Sequence, residues 1–171
     1  MRILITIKNS FNKNLIVIIF YFISFYSFED LNKIQNLIIF SFNLQMIIVY
    51  FYVLKFPENL GAGHIFLAGI INDVVIGIPL GTSSLSFLVL TFFTTYIRNA
   101  TLRSQMRSEW LAFVPTLFFS NLVYYTIINN FSLMSFYYVE LIRNTFFTFL
   151  FFPIFYYLFN TYERKIIKEN A

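Results

Sequence analysis

Between Asn59 and Ile97 the chain carries a single formally charged residue, Asp73. A carboxyl group in so apolar a stretch could relay a proton, hold a cation, recognise a ligand or anchor a neighbouring helix. It needs a partner in every case, because an acid at mid-bilayer costs about 2.5–3.5 kcal/mol on insertion scales. Gly69, Asp73 and Gly77 recur every fourth residue and so share one face of a helix, with Asn72 beside them. A small–Asp–small stripe lets a second helix approach closely and turns the carboxylate into the bundle. If the chain turns at Gly77, Asp73 lies about 6 Å from the helix end, where a carboxylate also reaches water cheaply. Packing or interfacial solvation therefore competes with partner contact or ligand binding, and the first is favoured.

Other candidates for chemistry are few. His64 is the only histidine and there is no cysteine, so no metal site and no thiol chemistry are expected, and His64 reads as an interfacial side chain. Arg98, Arg103 and Arg107 fall in one polar stretch, Arg98 to Glu109, where they could meet anionic lipid or a cytoplasmic partner. Simple topology explains them as well, and is the favoured reading. The chain has no Gly-rich phosphate loop, no Ser-His-Asp set and no paired acids on one face. An enzyme, a catalytic residue and a cofactor are not expected.

The elements that must position Asp73 are long apolar runs. Of 171 residues, 58% are hydrophobic, 22% aromatic and only 12% charged, with a mean hydropathy of +0.71. Ordinary soluble domains are about 25% charged and rarely expose apolar patches beyond a few hundred Å². Lipid is the solvent this composition fits. The expectation is an all-α integral membrane protein with six transmembrane helices in one bundle, at about 11–28, 34–56, 63–76, 82–97, 110–128 and 144–160. Pro57 to Gly61 and Gly77 to Thr82 read as turns, and Tyr162 to Ala171 as a charged, solvated tail. Tyr96 and Trp110 are placed at one membrane face.

The basic residues supply an orientation. With both termini cytoplasmic, Arg2, Lys8, Lys13, Lys55, Arg98, Arg103, Arg107, Arg164, Lys165 and Lys168 lie inside, leaving only Lys33 and Arg143 outside. That is the positive-inside bias. The net charge of +4 is thus spread over segment ends rather than gathered in a stripe, and no nucleic-acid partner is expected.

The run from Phe66 through Gly69, Asp73, Gly77 and Pro79 to Gly81 resembles the signature of the MreD family of rod-shape-determining proteins. In that signature glycine and an apolar step precede an aspartate, then a glycine and a Pro-Leu-Gly turn into the next helix. Here Ile70-Ile71 and Asn72 stand where leucines and glutamine are more usual. The resemblance covers about 16 residues closely; elsewhere only size, helix number and the basic loop and tail agree. It implies a non-enzymatic, multi-pass subunit of the bacterial inner membrane that supports cell shape and lateral peptidoglycan synthesis. Its implied partners are MreC directly, then MreB, RodA and a class B penicillin-binding protein in the same complex, together with membrane lipid.

The family is also similar in fold to the substrate-binding subunits of energy-coupling-factor vitamin transporters. The alternative expectation is accordingly such a carrier, holding a small molecule beside the outer end of the hairpin. Short external segments poor in polar groups favour the scaffold.

Overall fold

A computed structural model describes residues 15–24, 42–100, 106–131 and 138–170. The described residues are helical, without strands. The helices are α1 (Leu15–Ser24), α2 (Leu44–Lys55), α3 (Ala62–Ile76), α4 (Thr82–Ala100), α5 (Met106–Phe131) and α6 (Tyr138–Asn170). Two segments, Met106–Phe131 and Leu141–Lys165, are long and apolar enough to cross a membrane. Only 33% and 22% of their apolar windows is buried inside the protein. They are therefore not enclosed core helices, and rows of residues such as Leu111, Phe118, Leu122, Ile142, Phe146 and Leu150 face outward.

The core is built around α2. No residue from Gln45 to Val53 is more than 6% exposed, so this helix is covered on all sides, as an all-round apolar helix must be. It packs on α4 and α6; α4 also carries α3 and α5, and α5 rests on α6. Phe42 meets Phe151 and Phe155, while Phe51 and Tyr52 meet Phe159, so α2 and α6 run in the same direction.

Several helix limits differ from the sequence expectation. The second helix, expected as one run over 34–56, starts at Leu44, because Asn43 adopts extended backbone and caps the Met46 N–H with its side chain. The N–H of Asn43 in turn donates to Thr148 Oγ1 on α6 at 2.9 Å, so the break leaves no unsatisfied main-chain donor there. Residues 34–41 lie outside the described part of the chain, as do 11–14 and 25–28 of the first expected helix.

α5 and α6 extend beyond 110–128 and 144–160, and the expected solvated tail is helical to Asn170. Its Glu163 packs inward and accepts the Tyr52 hydroxyl, which draws that turn into the fold. α3 and α4 span Ala62–Ile76 and Thr82–Ala100, where 63–76 and 82–97 are expected.

Trp110 serves the neighbouring helix α6. Pro153 has no N–H to give the carbonyl of Phe149 four residues back, and the indole Nε1–H of Trp110 donates to that carbonyl at 3.0 Å. The two rings also stack, 4.9 Å apart.

Candidate functional site

α3 and α4 form a hairpin whose turn is set by two glycines. Gly77 ends α3 in the left-handed region (φ 78°) and its N–H donates to the Asp73 carbonyl at 2.9 Å; the Ile78 N–H donates to the same oxygen at 3.1 Å. Gly81 also has positive φ, 93°. Both conformations are accessible to glycine at little cost. Between them the Pro79 carbonyl accepts the Thr82 N–H (3.2 Å) and hydroxyl (2.6 Å), which starts α4.

Asp73 closes this turn from inside. Its Oδ2 accepts the Gly81 N–H at 2.7 Å and its Oδ1 the Ser83 N–H at 2.8 Å. A carboxylate from the last turn of one helix thereby caps the first turn of the next, satisfying orphan donors at the positive end of the helix dipole. The side chain is completely buried. It reaches neither water nor lipid, contrary to the interfacial solvation considered from sequence.

A chain of donors runs into the same carboxylate. Gln45 Nε2 on α2 donates to Asn72 Oδ1 at 3.2 Å, and Asn72 Nδ2 donates to Ser83 Oγ at 2.9 Å. The Ser83 hydroxyl is left to donate to Asp73. Three helices are thus joined by one buried hydrogen-bonded network, an arrangement that favours a unique packing.

Gly69 is the point of closest approach. A Cβ built there would lie 2.5 Å from Ser84 Cα and N and 2.6 Å from its Oγ, while the Ser84 hydroxyl donates to the Phe66 carbonyl at 2.9 Å. Gly77 does not belong to this contact face. The helix has ended by that residue, which is exposed with open space around its Cα. The stripe inferred from the four-residue spacing is therefore Gly69 and Asp73, with Gly77 serving as a backbone cap. The Phe66 ring points outward and contributes only its carbonyl.

The arginines separate. The Arg98 guanidinium lies against the end of α2 and donates to the Val53 carbonyl at 3.0 Å, so it caps a helix instead of belonging to an open loop. Arg107 is exposed in the first turn of α5, and Arg103 lies outside the described residues. Beside Arg98's target, Lys55 Nζ pairs with Glu109 Oε1 at 2.5 Å, and Tyr50 donates to the Glu109 carbonyl at 2.8 Å. His64 Nδ1 is 2.9 Å from the Tyr21 hydroxyl, tying α1 to the first turn of α3. Among the described residues no group of three or more His, Cys, Asp or Glu side chains is placed to hold a metal ion.

Sequence reasoning missed Ser83, Ser84 and the matched pair Ser86 and Ser120, whose hydroxyls donate to each other's carbonyls across α4 and α5 at 2.9 and 2.7 Å. The signal was present as a cluster of small hydroxyl residues, Thr82-Ser83-Ser84-Leu85-Ser86, directly after the turn. The Lys55–Glu109 pair had no such signal, since 54 residues separate its members. Comparison with protein-family models, curated proteins and solved structures finds no match to this chain.

Proposed function

We propose that this chain is a multi-pass protein of the bacterial cytoplasmic membrane that works as a non-enzymatic scaffold in the machinery for lateral peptidoglycan synthesis and cell shape, as its MreD-like segment implies. MreC is its direct partner in this reading, with MreB, RodA and a class B penicillin-binding protein in the same complex. The observation that carries the reading is the closed hairpin. The residues of that segment are spent on helix capping and close packing, and Asp73 has both oxygens occupied by main-chain donors, which leaves neither oxygen open to a ligand in this arrangement.

The placement of charge supports the orientation. Lys55, Arg98 and Glu109 meet at one end of the bundle, and Arg164 and Lys165 follow Glu163 at that same end through Tyr52. The Gly77–Gly81 turn lies at the other end of α3, away from these basic groups. With the basic end cytoplasmic, the positive-inside rule is met, six spans bring both termini inside, and the hairpin turn faces outward.

The test is purification of the tagged protein from its native membrane in mild detergent, with quantification of what accompanies it. Recovery of MreC, reduced by Gly69→Leu, is the expected result. Recovery of a transporter ATPase without MreC would instead establish the vitamin-carrier reading.

A further inference from the structure

One side of the bundle carries an apolar groove of about 310 Å³ bounded by α1, α2 and α6. Ile19, Phe20, Leu44, Ile48, Phe155 and Leu158 supply its walls, and Ile19 and Leu158 remain exposed at its rim. Its chemistry changes along its length. The Lys55 end of the groove is lined by Tyr52 and Tyr162. On α6 the lining residues Phe155, Leu158, Phe159 and Tyr162 follow the three-and-four spacing of one helix face, and the next position of that face is Lys165, with Arg164 beside it. Both basic residues are exposed. Glu163, the acid between them and Tyr162, is only 4% exposed and takes the Tyr52 hydroxyl, which keeps its charge away from the mouth.

We infer that this groove is a binding site for one anionic phospholipid, its acyl chain lying between α1, α2 and α6 and its phosphate held at Lys165 and Arg164. The sequence of surfaces matches the molecule: apolar walls for the chain, aromatic hydroxyls at the depth of the ester region, cations at the depth of the phosphate. Each basic side chain at the cytoplasmic surface strengthens the hold on an anionic headgroup about fivefold, and tyrosine is at home at the boundary. Charge is what selects an anionic lipid over a zwitterionic one, since both carry the same chains. The inference rests on the membrane orientation proposed above and is independent of any role in cell shape.

The experiment is photo-crosslinking in bilayer discs made of equal parts phosphatidylglycerol and phosphatidylcholine, each in turn carrying a diazirine in its acyl chain. Entry of the protein into the discs tests the membrane reading separately. The expected result is that the phosphatidylglycerol probe labels peptides containing Ile16–Ile23, Leu44–Tyr52 and Phe155–Tyr162 roughly thirtyfold more than the phosphatidylcholine probe, which is what two such charges are worth. Lys165→Glu with Arg164→Glu should bring the two probes level, whereas Arg107→Glu, on the exposed start of α5, should leave the preference intact. Ile19→Trp, a change at an exposed rim position, should lower labelling by both. Equal labelling by the two probes in the wild type, labelling spread evenly over outward faces such as Phe92 and Phe118, or an equal loss with Arg107→Glu would overturn the inference.

Discussion

Replacing Gly69 by alanine adds one carbon, and the geometry fixes what that carbon meets. It would lie 2.5 Å from two main-chain atoms of Ser84, whereas carbon contacts are comfortable only at about 3.5–4.0 Å. Because the obstacle is backbone, no rotamer change relieves it, and α3 must move off α4 by about 1 Å. Overpacking of this kind costs about 1–3 kcal/mol. The same displacement stretches the Ser84–Phe66 and Asn72–Ser83 hydrogen bonds, worth about 0.5–1.5 kcal/mol each. A total destabilisation of about 2–6 kcal/mol follows, equivalent to a fall in Tm of roughly 4–24 °C for a chain of this length. Thermal unfolding in detergent, followed by circular dichroism, reads it directly. Gly63→Ala is the control: it lies in the same helix with nothing within 4 Å of its added carbon, and should be neutral or slightly stabilising. A Gly69→Ala protein as stable as the Gly63→Ala control would refute the close-packing account, and Gly69→Leu should be worse than either.

Three further outcomes follow from the same contacts. Asp73→Asn keeps one acceptor but turns an amide N–H₂ toward a main-chain donor, so detergent melting should show a loss of about 1–3 kcal/mol, smaller than that of Gly69→Leu. Lys55→Met removes the cation paired with the buried Glu109 carboxylate and should cost about 3–5 kcal/mol, while Lys55→Met combined with Glu109→Leu should recover much of it in the same assay. Trp110→Phe removes the donor that satisfies Phe149 and should cost about 1–3 kcal/mol, but much less in a Pro153→Ala background, where a restored backbone N–H serves that carbonyl; a double-mutant cycle with no coupling would rule this out.

The parts legible in the sequence were those with local causes. Gly77, Pro79 and Gly81 announce a turn through backbone preferences, and Asp73 stands out because charge is costly in an apolar run. What stayed hidden depends on residues distant in the chain. The four-residue spacing placed Gly77 on the packing face because a periodicity does not say where the helix stops. The extended backbone at Asn43 is tolerable only because Thr148, 105 residues away, accepts its N–H. Arg98 looked like a loop residue because its target, the carbonyl of Val53, belongs to another helix. The partner that satisfies Asp73 was likewise invisible: main-chain N–H groups leave no mark on residue type, and only the serine cluster hinted at a helix start there.

The central claim is that a membrane-spanning bundle holds its basic end in the cytoplasm and its Gly77–Gly81 turn outside. The chain has no cysteine, so single cysteines can be placed without background. Leu80→Cys lies exposed in the turn, and Arg107→Cys and Lys165→Cys replace exposed residues at the opposite end. In intact spheroplasts a membrane-impermeant maleimide should label Leu80→Cys at once and the other two only after permeabilisation. Labelling of Leu80→Cys and Lys165→Cys from the same side, or recovery of the protein in the soluble fraction, would contradict the account.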